Sequence, residues 1–179
     1  MQYFIGVSVR GKAGAAVNET RRYLKSIEVK TPSTAPHITI VPPFNLDNDH
    51  KDVLIEVLEG HSGFDLFNLD IGFPKVWKPS TLILPVVQSE PLTDLFQTTQ
   101  TSVSAFGISL AKRFNPHVTI AKGLTQDQMS DFWDWCRTAA GQSTLFEKGM
   151  STRVGDVTLY ERESKYHEWS GQAVSAIPF

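Results

Sequence analysis

Five histidines occur in the 179 residues, and two of them stand in the same short pattern. Pro36-His37-Ile38-Thr39-Ile40 returns eighty positions later as Pro116-His117-Val118-Thr119-Ile120. Given 15 threonines and 10 prolines in the chain, chance would build two such histidines on the order of 2 times in 10,000, so the recurrence reads as an internal repeat. A single His-x-Thr would suggest only a histidine bonded to a backbone carbonyl on a half-buried strand. Two matched copies point to acid–base chemistry. Imidazole, with an ordinary pKa near ~6.5, exists in both protonation states around neutral pH. Two of them flanking a reacting centre let one take a proton from the nucleophile while the other gives one to the departing oxygen. A threonine hydroxyl can donate to a non-bridging phosphoryl oxygen, where negative charge builds during displacement. The set suits in-line displacement at a phosphodiester and calls for no metal and no cofactor.

Such groups must be held by elements of known periodicity. Each motif reads as a strand, over 37–41 and 117–121, and alternate strand residues share a face. His37 and Thr39 then lie on one face, as do His117 and Thr119, while Ile38, Ile40, Val118 and Ile120 point the other way. If two halves of the chain are related by a pseudo-twofold axis, the polar faces meet across a groove. Further strands are expected over 3–9, 64–73, 76–87, 154–162 and 168–177, with a short one around Ile108. Helices are expected over 15–27, 49–58, 92–106 and 127–139. Gly11 and Gly14 read as a loop, and Pro42-Pro43 as a strand stop. In the second helix Val53, Leu54, Val57 and Leu58 form one apolar face. Strands alternating with helices give an α+β or α/β protein, and the lack of long apolar runs argues against a deeply buried parallel sheet.

Composition narrows the partners. The chain is 41% hydrophobic and 20% charged, an ordinary globular balance, with a formal net charge of −2. Divided after Glu90, the two halves hold nine basic against ten acidic residues and eight against nine. No basic arm or stripe is present for tracking a long nucleic acid. Any nucleic-acid partner is expected to be short and gripped locally, with no membrane and a monomeric state. The N-terminal residues lack a signal-peptide pattern, so a cytoplasmic location is expected. Cys136, the one cysteine, excludes an internal disulfide and reads as a buried thiol on a helix. Trp77, beside Lys75 and Lys78, is a candidate for stacking a nucleobase. Trp133 and Trp135 read as packing, and His50 and His61 as solvated. Lys122 follows the second motif closely, but strand parity aligns it with Val118 and Ile120, away from the threonines. His167 has no evident partner.

The motifs His37-Ile38-Thr39-Ile40 and His117-Val118-Thr119-Ile120, with the ending from Val157 to Ser164, resemble those of the 2H phosphoesterase superfamily, which includes 2′-5′ RNA ligase-like proteins and cyclic nucleotide phosphodiesterases. The resemblance implies an α+β, bilobal fold over residues 1–179, with two pseudo-symmetric lobes, mainly antiparallel sheets lining a central cleft and helices outside. It implies metal-independent cleavage of a cyclic nucleotide phosphate or a short oligonucleotide. His37 and His117 match the family's catalytic histidines, Thr39 and Thr119 its phosphate-binding hydroxyls, and Tyr166 a tyrosine near the C-terminus that lines the cleft. Two other readings of the same fold are a non-enzymatic nucleotide sensor and RNA 2′-5′ end joining or trimming. The retained acid–base pair argues against the sensor. The lack of a nucleotidyl-transfer lysine motif or a Gly-rich phosphate loop argues against an energy-driven ligase.

Overall fold

A computed structural model describes residues 1–60, 65–77, 79–108, 113–145, 150–165 and 167–176. In chain order the elements are β1 (Gln2–Ser8), α1 (Gly11–Ser26), β2 (His37–Asn45), a 3-10 turn (Asn48–His50) leading into α2 (Lys51–Glu59), β3 (Phe67–Asp70), β4 (Lys75–Trp77), β5 (Thr81–Pro85), α3 (Glu90–Ser104), β6 (His117–Lys122), α4 (Gln126–Arg137), α5 (Ala139–Leu145), β7 (Ser151–Val154), β8 (Asp156–Arg162) and β9 (Ser170–Ala176). Seven strands form one sheet in the order β4-β5-β6-β2-β1-β8-β9, and β3 pairs with β7 in a separate ribbon. Every pairing is antiparallel.

The sheet carries the repeat. β1-α1-β2 recurs as β5-α3-β6: in each unit two adjacent antiparallel strands are joined through a helix. The two units meet where β2 lies beside β6, with Ile38 opposite Val118. The strand residues expected to face helices are fully withdrawn from water: Ile38, Ile40, Val118 and Ile120 are at most 1% exposed, as are Tyr3, Ile5 and Val7 on β1. They join Ala13, Val17 and Leu24 of α1 and Leu92, Leu95 and Val103 of α3 in one apolar core. This burial is the main favourable term holding the motif strands in place, at roughly 25 cal/mol per Å² of apolar surface.

Several boundaries differ from the sequence expectation for identifiable reasons. Gly11 and Gly14 do not form a loop; they open α1. Gly14 lies where a Cβ would stand 2.5 Å from the Val9 carbonyl oxygen, so glycine is what lets the helix start against the end of β1. β2 does not stop at Pro42-Pro43. Both prolines are exposed, and the pairing with β1 shifts register between Tyr3 and Ile5, so their missing N–H groups cost the ladder little. The helix after the second motif opens with a Thr125–Gln128 capping box and breaks at Thr138, whose hydroxyl accepts from the Gly141 N–H and starts α5. The strand expected over 76–87 is split into β4 and β5, and that over 64–73 is confined to β3. The strand expected around Ile108 does not include it, and residues 109–112 lie outside the described residues. On α2 only Leu54 and Leu58 are buried, with Val53 48% exposed.

Candidate active site

The Ile38–Val118 pair sets the geometry of the site. In that antiparallel register His37 falls opposite Thr119, and Thr39 opposite His117. Each histidine therefore has the other motif's threonine as its cross-strand neighbour. Such neighbours have Cβ atoms ~4.5–5.5 Å apart, and the diagonal pair of histidines is separated by ~7–8 Å.

Both imidazoles are anchored in the same way. Nδ1 of His37 donates to the Ala35 carbonyl oxygen at 2.8 Å, and Nδ1 of His117 to the Asn115 carbonyl oxygen at 2.7 Å. A carbonyl only accepts, so each Nδ1 carries the proton, and in the neutral ring Nε2 is left free to accept one. Burial pushes His37 down to about 4, against the upward pull of its Ala35 bond, with Arg21, His117 and Lys122 adding to the depression. His117 is also lowered, chiefly by burial and then by Lys122, against its Asn115 bond. In the free protein both rings are neutral at pH 7, and His37 is held in that state the more firmly.

Parity along each motif strand breaks just past the threonine. Between β5 and β6 the partners run Ile83–Thr119 and then Leu82–Ala121, so Ile120 is an extra residue. Between β1 and β2 they run Gly6–Thr39 and then Ile5–Val41, so Ile40 is the equivalent extra residue. Each is a β-bulge, and the two following residues change sides. Lys122 consequently lies in the same cleft as His37, Thr39 and Thr119, correcting the expectation from strand alternation. The first copy has Pro42 at the matching place, so the cation has no symmetric counterpart.

Arg21, from α1, ties the halves together from behind. It is 6% exposed and donates to the Thr34 carbonyl oxygen at 2.7 Å and the Thr119 carbonyl oxygen at 2.8 Å. It thus links β6 to the turn that presents Ala35 to His37. Desolvation brings its pKa to about 10, and it remains charged at neutral pH.

Aromatic side chains flank both histidines. Trp77 meets His117 edge-on, with centroids 4.6 Å apart and planes at 78°. Around His37 stand Phe4 at 4.9 Å and Tyr160 at 5.1 Å, and these two rings stack on each other at 4.2 Å. Tyr160 sits in a slot made by two glycines. A Cβ at Gly171 would lie 2.8 Å from its ring, and one at Gly6 would lie 2.9 Å from the Ile38 carbonyl oxygen and 3.6 Å from the His37 ring. Its hydroxyl reaches Ser8 and Thr158, which both bond the buried Asp156 carboxylate, itself paired with Arg10 at 2.9 Å.

His37, Thr39, Thr119 and Lys122 line a cleft of about 520 Å³. His117 and Trp77 line a second cavity of about 370 Å³, with Lys75 and Asn115. Among the described residues it shares no lining residue with the first, so the two histidines open into different cavities on either side of the β2–β6 pair. Tyr166 lies outside the described residues, as do His61 and Lys78. His167 borders the larger cleft and bonds Ser164 at 2.9 Å, a partner the sequence did not reveal. Trp135 stacks on Tyr23 at 4.6 Å and Trp133 packs on Phe132. Cys136 is 2% exposed, and burial pushes its thiol up to about 12. Phe4, Tyr160 and Arg21 are the site residues that sequence reasoning missed.

The sequence profile of the 2′-5′ RNA ligase superfamily matches residues 12–165, which include both motifs and Lys122. The chain belongs to that superfamily. This is the 2H phosphoesterase group that the paired motifs resemble, and the antiparallel α+β architecture agrees with it. Among superfamily relatives, a candidate phosphoesterase of Staphylococcus haemolyticus is 25% identical over 155 residues, covering 85% of this chain and 86% of that one. A second candidate phosphoesterase, from Halalkalibacterium halodurans, is 31% identical over 99 residues, covering 54% and 57%. In three dimensions the chain resembles TT0787 of Thermus thermophilus, with a TM-score of 0.69 at 16% identity over 99% and 97% of the two chains. It likewise resembles E. coli LigT bound to 3′-AMP, with a TM-score of 0.68 at 16% identity over 98% and 97%. Among the described residues no helix is long and apolar enough to cross a membrane.

Proposed function

We propose that this protein is a phosphodiesterase that cleaves a nucleotide phosphodiester, either a cyclic phosphate or a link in a short oligonucleotide, with two histidines and no metal. The observation that carries the reading is the pair of imidazoles anchored through Nδ1 on the two central strands, each with the other motif's threonine beside it. Nucleotide binding on this fold is supported by E. coli LigT, solved with 3′-AMP, with ATP and with NADP+.

His37 is the general base. Its neutral form is the more strongly favoured, and its Nε2 takes the proton of the attacking hydroxyl or water. The new P–O bond forms in line with the breaking one. Charge gathers on the non-bridging oxygens, where Thr39, Thr119 and Lys122 are placed to donate. His117 is the general acid and protonates the departing oxygen. A bound phosphodiester brings the negative charge that favours imidazolium, so substrate loads His117 with its proton. The proton count balances: one leaves the nucleophile for His37, one passes from His117 to the leaving group, and solvent resets both rings.

The test is product analysis on 2′,3′-cyclic mononucleotides and on 2′-5′ and 3′-5′ linked dinucleotides, with and without EDTA. Turnover should survive the chelator and fall at least ~100-fold in His37→Ala and in His117→Ala. Full activity in either variant would sink the assignment. Unchanged ligand affinity with no turnover of any phosphodiester by the wild type would favour a sensor instead. The reading takes the chain as one cytoplasmic domain acting as a monomer, with Trp77 and Tyr166 as substrate contacts.

A further inference from the structure

Each histidine has its own aromatic platform, and the two platforms lie toward opposite ends of the site. At one end Trp77 stands against His117. At the other, Phe4 touches His37 and meets Trp169 edge-on at 4.7 Å, and Trp169 lines the same cleft as His37 and Thr39. Trp169 is joined by a cation. The Arg162 guanidinium carbon lies 4.2 Å from its ring centre, held there by a 2.9 Å bond from Nε to the Gln2 side-chain oxygen. An indole with a guanidinium fixed over it is a planar surface ready to extend its stack with a nucleobase. Pairing of β1 with β8 sets Phe4 opposite Tyr160 and Gln2 opposite Arg162, and so brings these side chains to one end of the site.

From this we propose that the substrate is a phosphodiester joining two nucleosides, with one base received at Trp77 and the other at the Trp169–Arg162 pair. The inference rests on the phosphodiesterase reading above and chooses within it. A cyclic mononucleotide carries one base and would leave one platform empty. A dinucleotide link seated between His37 and His117 sends one nucleoside toward each end. His117 protonates the departing oxygen, so the leaving nucleoside's base goes to Trp77. The nucleoside that keeps the phosphate places its base on Trp169 and Arg162. The link is the same chemistry whether it comes from a linear or a cyclic oligonucleotide.

The experiment removes the bases from the substrate before it touches the protein. Turnover by the wild-type chain is measured for a linear dinucleotide, for the two analogues lacking one base or the other, and for a 2′,3′-cyclic mononucleotide. Binding of the same four ligands is measured on the His117→Ala chain. Loss of either base should lower kcat/KM by about 10–100-fold, the range expected for one stacked base. Trp169→Leu should impose that loss on the full dinucleotide yet add little on the analogue lacking the base at its end. Trp77→Leu should do the same for the leaving side. A cyclic mononucleotide cleaved as well as the dinucleotide, with kcat/KM indifferent to both missing bases, would overturn the inference and leave the phosphodiesterase reading intact. Base-dependent binding with no turnover of any ligand would overturn that reading instead and keep the two-base site.

Discussion

Replacing Arg21 by methionine separates the stability of the fold from the alignment of the site. The guanidinium donates to two buried carbonyl oxygens at 2.7 and 2.8 Å. Hydrogen bonds from a charged group are worth ~1.5–3 kcal/mol each, so the gross loss is ~3–6 kcal/mol. Against that stands the cost of burying the charge. A pKa brought from the ordinary arginine range down to about 10 by burial corresponds to ~3 kcal/mol of desolvation, which methionine does not incur. The net destabilisation is therefore ~0–3 kcal/mol, a fall in Tm of at most about 10 °C for a chain of this length. The site should respond more than the fold. Without Arg21 the turn bearing Ala35 loses its link to β6, and His37 loses a neighbouring positive charge. Its pKa should rise from about 4 while staying below the ordinary value, because burial is the larger cause. Histidine NMR titration reads this with no knowledge of the substrate. Turnover should drop by ~10–100-fold, the penalty for a catalytic group displaced by about an ångström. A His37 titration identical to wild type in a folded Arg21→Met chain would refute the reasoning.

Three further outcomes follow from the same geometry. The pH profile of kcat/KM should peak on the acid side: activity is lost below about 4 as His37 gains a proton, and is lost again toward neutrality as free His117, whose pKa is lowered, gives its proton up. A profile still rising at pH 8 would contradict the assigned roles. Lys122→Gln should raise the pKa of both histidines, moving the profile toward alkali, and weaken inhibition by inorganic phosphate by ~10–100-fold through loss of one charge-assisted contact. Gly171→Val should press the Tyr160 ring toward His37, since a Cβ there would stand 2.8 Å from that ring, destabilising the fold by the ~1–3 kcal/mol typical of overpacking and lowering Tm and kcat with it. Wild-type kcat in that variant would show that the slot plays no part in holding the imidazole.

How far the sequence could be read depends on how local the physics is. His37, Thr39, His117 and Thr119 were legible because the period of two operates within five residues. So was the burial of Ile38, Ile40, Val118 and Ile120. The same rule misplaced Lys122, because alternation is broken by a bulge whose partner strands, β1 and β5, lie elsewhere in the chain. A local trace of that bulge does exist: each motif ends in two successive apolar residues, Ile40-Val41 and Ile120-Ala121, both members of which are buried. Arg21 also left a trace. It lies on the stripe of Val17 and Leu24 at helical spacing, where a solvated arginine does not belong. Phe4, Tyr160 and Trp169 left none, since only the pairing of the first strand with β8, more than 150 residues away, brings them to His37. The ordinary explanation of a lone His-x-Thr proved compatible with the chemical one. Each histidine does bond a backbone carbonyl, and that bond presets the tautomer that a base requires.

The assignment of His37 as base and His117 as acid is tested most directly by changing the leaving group. A nucleotide nitrophenyl phosphodiester expels a stable anion and needs no general acid, whereas a dinucleotide expels an alkoxide and does. Comparing both substrates in each histidine→Ala variant gives the decisive ratio. His117→Ala should recover most of its deficit on the nitrophenyl ester, at least ~100-fold relative to the dinucleotide, while His37→Ala stays impaired on both. Equal impairment of the two variants on both substrates, or recovery by His37→Ala in place of His117→Ala, would contradict the account.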